Sequence, residues 1–131
     1  MFTKQAIIKT INSLDLEYPY KLMMGGSLVM RDIRDTTHDL DLDIHPNDFK
    51  RLRSLFYIDT VSVSSLGNNK FDIQTKYGEL EIFEVHTLGN DIDTIDGINC
   101  QSLESILELK KKFNREKDKM DIKLIESKLS T

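Results

Sequence analysis

Three aspartates alternate with apolar residues between positions 39 and 44, where the sequence reads Asp-Leu-Asp-Leu-Asp-Ile. In a β-strand, alternate side chains share one face of the sheet. The two leucines and the isoleucine would therefore face a core, while Asp39, Asp41 and Asp43 crowd the opposite face. Neighbouring carboxylates repel one another and stay ionised together only when a positive charge lies among them. Because hard divalent cations take oxygen ligands, this pattern predicts a metal site.

A glycine pair, Gly25-Gly26, precedes the acidic segment and is followed by Ser27. We expect a short strand over residues 21–24, directly before the glycine pair, and a brief helix over residues 27–33, directly after it. Glycine lets the backbone come close to phosphate oxygens, and free N–H groups at a helix start donate to them. The Ser27 hydroxyl would add one more donor, so this segment is a candidate phosphate-binding turn.

Length and composition narrow the class of protein. We expect 131 residues to form one domain, 1–131, with a core over about 20–87 and C-terminal helices over about 102–129. A formal net charge of -4 argues against broad, sequence-independent nucleic-acid binding. The absence of a long apolar run and of a signal-peptide core predicts a cytoplasmic protein with no membrane partner. The lone Cys100 excludes an internal disulfide and is expected to be a core residue.

The apolar periodicity predicts an α+β (α/β-like) fold, in which helices flank a mixed, twisted sheet of four to five strands. The helices are expected over 3–14, 27–33 and 48–57, the last capped by Asn47, followed by one that Ser102 opens and one that ends near 129. The expected strands cover 21–24, 40–44, 60–65, 71–75 and 79–86. The glycine-containing segment between 87 and 101 is expected to be a loop.

Together, these motifs resemble those of the nucleotidyltransferase superfamily that includes DNA polymerase β. The family pattern is a strand, a Gly-Gly or Gly-Ser turn, a short helix, a second strand with Asp-x-Asp, and an acid on a later strand. The matching segments are Gly25-Gly26-Ser27, Thr37-His38-Asp39-Leu40-Asp41 and Gly78-Glu79-Leu80-Glu81-Ile82-Phe83. A Leu-x-x-Lys helix followed by Arg-x-Lys-Asp-x-x-Asp is matched by Leu107, Lys110, Arg115, Lys117, Asp118 and Asp121. The resemblance covers roughly residues 20–125.

The resemblance implies the nucleotidyltransferase fold and the transfer of a nucleoside monophosphate, AMP from ATP, to an acceptor hydroxyl with release of pyrophosphate. It implies that Asp39 and Asp41 bind two Mg²⁺ ions, with Mn²⁺ as an alternative. Glu81 would bind the catalytic ion and act as a base toward the acceptor. These three acids are the expected catalytic residues.

The expected nucleotide-binding residues are Gly25, Gly26, Ser27, Lys110 and Arg34. Lys110 is the expected cation for the triphosphate, and Arg34 could bind phosphate or form a surface pair with Asp35. His38 could touch a phosphate or the acceptor, or bond to a backbone carbonyl.

Further basic residues, Arg115 and Lys117, are expected behind Lys110. Asp118 and Asp121 are expected to pair with these bases or to cap the last helix rather than to bind metal.

The residue types leave the ligand set open in two respects. The metal pair could shift to Asp41 and Asp43, and the third carboxylate could be Glu79 or Asp72 instead of Glu81. Glu81 is favoured because two apolar residues follow it, as the family pattern requires.

The acceptor is expected to be a small molecule such as an antibiotic. The alternatives are the same chemistry on tRNA or a protein, as in toxin-like members, or a catalytically inactive nucleotide-binding module. A homodimer or a partner subunit would complete the pocket, because the sequence has no room for the extra helical domain of larger antibiotic-modifying relatives.

Overall fold

The computed structural model describes residues 1–131, which form one seven-stranded sheet and five α-helices. The helices are α1 (Lys4–Ser13), α2 (Met24–Met30), α3 (Pro46–Leu55), α4 (Leu103–Phe113) and α5 (Lys119–Leu129), with a 3₁₀ turn at Glu116–Asp118. The strands are β1 (Lys21–Met23), β2 (Asp39–Ile44), β3 (Ser62–Val63), β4 (Asn69–Gln74), β5 (Glu79–Glu84), β6 (Ile92–Ile95) and β7 (Ile98–Gln101). The predicted α+β class is confirmed. None of the helices is both long and apolar enough to cross a membrane.

The acidic strand β2 lies at the centre of the sheet. The strand order is β3-β4-β5-β2-β1-β7-β6, in which β2 runs parallel to β5 and β1 runs parallel to β7. Leu40, Leu42 and Ile44 on β2 are fully buried in the main core, which α1 and α3 also enter. Because side chains alternate along a strand, this burial turns the aspartates of β2 to the other face, as the sequence predicted.

The sheet has seven strands rather than the predicted four to five. The segment 87–101, which we expected to be a loop, contains the hairpin of β6 and β7. Its turn has positive φ at Asp96 (50°) and Gly97 (80°), which is the pattern of a type I′ turn. Each strand has only four residues and β6 reads Ile-Asp-Thr-Ile, so the sequence shows no strict alternation there.

Two helix starts also differ from expectation. Helix α2 begins at Met24 rather than at residue 27, which places the glycine pair inside its first turn. Helix α3 is capped by His45, whose Nδ1 accepts a hydrogen bond from the Asn47 N–H at 3.0 Å, so Asn47 is not the cap. The predicted caps at Thr3 and Ser102 are confirmed.

Gly78 fixes the start of β5 beside β2. Its φ is +149°, and a Cβ at this position would collide with the backbone carbonyl oxygen of His38. Gly67 also has a positive φ, +87°, but an added Cβ there would meet nothing within 4 Å. We therefore expect Gly78→Ala to lower the free energy of unfolding by about 3 kcal/mol, and Gly67→Ala by about 1 kcal/mol. Denaturant titration measures both, and equal losses would contradict the collision at Gly78.

Candidate active site

Strands β2 and β5 place the three predicted catalytic acids side by side. Their parallel register sets Asp39 opposite Glu79 and Asp41 opposite Glu81. Residues that are paired across neighbouring strands project from the same face of the sheet. Asp39 is exposed, whereas Asp41 and Glu81 are half-buried. The structure therefore brings Asp39, Asp41 and Glu81 into one acidic cluster.

Among these acids, Asp41 has the carboxyl group whose pKa departs furthest from its ordinary value. Its Oδ1 is buried and has no hydrogen-bond partner. Burial, followed by a hydrogen bond to Glu81, raises the pKa of Asp41 to about 8. The same hydrogen bond lowers the pKa of Glu81. A buried oxygen without a donor is costly, and a divalent cation bound to it would supply the missing partner, so these oxygen donors fit Mg²⁺ or Mn²⁺.

The alternative third carboxylates lie at the same place. Carboxylate oxygens of Asp72, Glu79 and Glu81 are all within 4.8 Å of one another. Lys70 on β4 joins two of them, because its Nζ lies 2.7 Å from Glu81 Oε1 and 3.2 Å from Asp72 Oδ1. No motif in the sequence marks Lys70, because its position depends on the pairing of β4 with β5. Its ammonium group supplies part of the positive charge that the clustered acids require.

Metal affinity should depend on pH because of Asp41. A carboxyl group with a pKa of about 8 holds its proton at neutral pH, and a metal binds its ionised form. The affinity for Mn²⁺ should therefore rise by up to about tenfold per pH unit from about pH 6 to about pH 8, with release of a proton, and then level off. Calorimetric titration in buffers of different ionisation enthalpy measures both quantities. A flat profile over this range would contradict the protonated state of Asp41.

Asp43 lies on the same face but outside the acidic cluster. It is paired in register with Lys21 on β1. The Lys21 ammonium donates to the Leu88 carbonyl and to Asp91 Oδ1, both at 2.6 Å, and Asp43 forms no hydrogen bond or ion pair within the chain. Burial raises the pKa of Asp43 to about 6.

A polar cleft of about 550 Å³ opens above the acidic cluster. One of its walls carries Asp39, Asp41 and Glu81. The residues of the other wall come from α2, from the segment before β2 and from the C-terminal helices, and its charged members are Arg34, Lys110, Arg115, Lys117, Asp118 and Asp121. Cations outnumber carboxylates on this second wall, so the cleft pairs an acidic side with a basic side.

The expected pairing of Asp118 and Asp121 with basic residues is confirmed. Lys110 is only 5% exposed, and its Nζ lies 3.1 Å from both Asp118 Oδ1 and Asp121 Oδ2. Arg115 donates to both oxygens of Asp118, at 2.7 and 3.1 Å, and lowers the pKa of Asp118 to about 2. Lys117 is exposed and forms no ion pair, which leaves its charge available to a ligand.

Gly25 and Arg34 both line the polar cleft. A Cβ on Gly25 would lie 2.9 Å from Thr37 Oγ1 and 3.2 Å from Arg34 Nη1, so only glycine fits at this position without a shift. Arg34 lies 3.7 Å from Asp121 Oδ2 and does not form the surface pair with Asp35. His38 is exposed at the rim of the same cleft.

Gly26 and Ser27 are not among the residues that line the cleft. A Cβ on Gly26 would lie 2.8 Å from Leu22 Cδ1, so a larger residue here would have to displace the buried Leu22 side chain. Ser27 is fully buried, and its hydroxyl donates to the Gln101 carbonyl at 2.8 Å and accepts from Arg31. The structure therefore gives both residues structural contacts that the sequence reading did not foresee.

The chain shares its fold with two proteins of known structure. The lincosamide antibiotic adenylyltransferase LnuA, whose crystal structure has lincomycin bound, superposes with a TM-score of 0.64 at 18% identity over 92% of both chains. A provisionally assigned nucleotidyltransferase from Thermotoga maritima superposes with a TM-score of 0.67 at 11% identity over 93% of both chains. No family model matches the sequence. No curated protein matches it either.

Proposed function

We propose that this protein is a metal-dependent nucleotidyltransferase that transfers AMP from ATP to a hydroxyl group of a small-molecule acceptor and releases pyrophosphate. The observation that carries the proposal is the buried, unpartnered oxygen of Asp41 beside Glu81, at the base of a cleft with a basic wall. Asp39, Asp41 and Glu81 would hold Mg²⁺ or Mn²⁺. Such an ion offsets the charge of the triphosphate and lowers the pKa of the attacking hydroxyl.

The basic wall would bind the triphosphate. Lys117 is free to contact it, while Lys110 and Arg115 add positive charge from their ion-paired positions. Gly25 lies in the first turn of α2, where the Met24 N–H already donates to Gln101 Oε1 at 2.9 Å; the N–H groups that follow have no intrahelical acceptor and would donate to phosphate oxygens. Arg34 reaches the same side of the cleft.

Transfer then requires one bond to form and one to break. The acceptor hydroxyl oxygen bonds to the α-phosphorus, and the bond from that phosphorus to the bridging oxygen of the β-phosphate breaks. The hydroxyl proton passes to Glu81, and pyrophosphate leaves along the basic wall. Glu81 would be ionised in this role because the Lys70 ammonium lies 2.7 Å from its Oε1 and stabilises the carboxylate until the proton arrives.

A small acceptor is favoured over RNA. The structural neighbour LnuA is a lincosamide adenylyltransferase, and this chain spans 92% of its length. The net charge of -4 disfavours a nucleic-acid partner. An inactive module would be expected to lack one of the acids that would bind metal, whereas this chain carries Asp39, Asp41 and Glu81. The homodimer remains a prediction that light scattering of the purified protein tests.

Incubation with ATP labelled at the α-phosphate tests the reaction directly. Lincomycin, an aminoglycoside and total tRNA serve as separate acceptors, with Mg²⁺ or with a chelator. We expect label on lincomycin or the aminoglycoside only with Mg²⁺, and one pyrophosphate for each AMP transferred. Label on tRNA alone would indicate that the acceptor is RNA rather than a small molecule. Absence of transfer from any of the four nucleoside triphosphates to every acceptor, by a folded protein, would contradict it.

A further inference from the structure

A second pocket opens beside Asp41 and borders the basic wall at Arg115. Its volume is about 230 Å³, and it lies between the β2–β5 face, the turn at 64–68 and the end of α4. Its apolar lining consists of Met23, Met24, Leu66, Phe83, Leu109 and Phe113. The pocket and the polar cleft share Met24, Asp41 and Arg115, so the two spaces meet at the acidic cluster.

One further carboxylate lies in this apolar lining. Asp43 contributes to the pocket, and it forms no hydrogen bond or ion pair within the chain. Its neighbour across the strands, Lys21, is already bonded to Asp91 and to the Leu88 carbonyl. An unpaired carboxylate among apolar side chains is complementary to a ligand with one cationic group on an apolar body.

The in-line geometry of phosphoryl transfer indicates which substrate binds in the apolar pocket. In phosphoryl transfer, the attacking and the leaving oxygens lie roughly in line through the phosphorus. The cations of the polar cleft would hold the leaving pyrophosphate on one side of Asp41. The attacking hydroxyl would then reach the phosphorus from the apolar pocket, which meets the polar cleft at Asp41.

We infer that the apolar pocket is the acceptor site and that it takes an amine-bearing, amphipathic alcohol, with Asp43 binding the amine as a specificity-determining residue. The inference rests on the proposed function and names the class of its acceptor. A cavity of roughly 150 Å³ holds benzene, so 230 Å³ accommodates one substituted ring. The rest of a larger acceptor would extend past Leu66, which is 71% exposed at the rim.

Three small molecules distinguish the contribution of the amine to binding from that of the apolar ring. Phenylserinol carries both, N-acetylphenylserinol lacks the positive charge, and serinol lacks the ring. Affinities are measured by NMR titration with Mg²⁺ and a non-hydrolysable ATP analogue present. The wild-type protein should bind phenylserinol at least about tenfold more tightly than either of the other two probes. Absence of phenylserinol binding, or equal affinity for all three, would overturn the inference.

Two variants assign the effect to Asp43. Asp43→Asn should remove the preference for the amine over its N-acetyl derivative, whereas Asp59→Asn, at an exposed aspartate that lines neither the apolar pocket nor the polar cleft, should keep it. Retention of the preference by Asp43→Asn would overturn the inference. Competition between the ATP analogue and phenylserinol, with shifts at Leu66 and Phe113, would also overturn it, because the pocket would then hold the nucleobase.

These readouts do not depend on turnover. If the proposed function fails, no AMP is transferred although phenylserinol still binds through Asp43. If only the inference fails, AMP is transferred while the acceptor preference does not depend on Asp43.

Discussion

Replacing Asp41 with asparagine should reduce nucleotide transfer by at least about 10³-fold and, at the same time, stabilise the metal-free protein. The loss of transfer follows from the position of Asp41, which lies between Asp39 and Glu81 and lines both the polar cleft and the apolar pocket. An amide keeps the shape of the side chain but supplies no negative charge for a divalent cation. Transfer of labelled AMP at saturating Mg²⁺ measures the effect.

The gain in stability follows from the coupling between folding and proton binding at Asp41. Folding raises the pKa of Asp41 from its usual 3.8 to about 8, so the folded state retains a proton that the unfolded chain releases from about pH 4 upward. The free energy of unfolding must therefore fall as the pH rises through this window. A neutral asparagine removes that cost, and Asp41→Asn should be more stable than the wild type by about 2 kcal/mol at pH 8, with little difference at pH 4.

Asp39→Asn is the matched control for this variant. Asp39 belongs to the same acidic cluster but is exposed, so its replacement should reduce transfer without a comparable gain in stability. Denaturant unfolding in the presence of a chelator separates the two variants. An Asp41→Asn protein that is less stable than the wild type at pH 8 would contradict the buried, unpartnered state of Asp41.

Replacing Lys110 with methionine should cost about 3–5 kcal/mol of stability. Asp118 is 1% exposed and Asp121 is 9% exposed, and Lys110 is the cation that they share. Without it, Arg115 still compensates Asp118, but Asp121 keeps only Arg34 at 3.7 Å. Removing one member of a buried ionic group leaves charge that neither water nor a partner offsets. Thermal and denaturant unfolding measure the loss.

Lys111→Met provides the comparison on the neighbouring residue. Lys111 pairs with Glu126 at 3.3 Å, and both side chains are about half exposed, so the loss should stay within about 0.5 kcal/mol. A double replacement, Lys110→Met with Asp121→Asn, should recover part of the lost stability because it also removes the negative charge that Lys110 no longer compensates. Equal stability of the Lys110 and Lys111 variants would show that the buried cluster does not organise the C-terminal helices.

The central acidic strand could be predicted because it follows from a local rule. Alternation of leucine and aspartate fixes the face of Asp39 and Asp41 in any strand, whatever its neighbours are. The pairing of Asp118 and Asp121 with Lys110 and Arg115 could also be predicted, since all four lie close together in the sequence. These parts of the site depend on short-range spacing.

Other features depend on strand register and packing, which a single sequence does not reveal. Lys70 contacts Glu81 only because β4 pairs with β5 in a particular register. Helix α2 starts three residues earlier than predicted, so Ser27 lies inside the helix rather than at its start. The Ser27 hydroxyl is buried there and donates to the Gln101 carbonyl. The pocket around Asp43 joins strands, a turn and α4 from distant parts of the chain. No local pattern could have placed them together.

Anomalous scattering from Mn²⁺, in crystals grown with a non-hydrolysable ATP analogue, would show whether Asp41 binds a divalent cation. We expect manganese with Asp41 among its ligands at about 2.0–2.3 Å, together with Asp39 and Glu81, and the triphosphate on the wall that carries Lys110. Manganese bound only by Asp72 and Glu79, with Asp41 still unligated, would contradict the account.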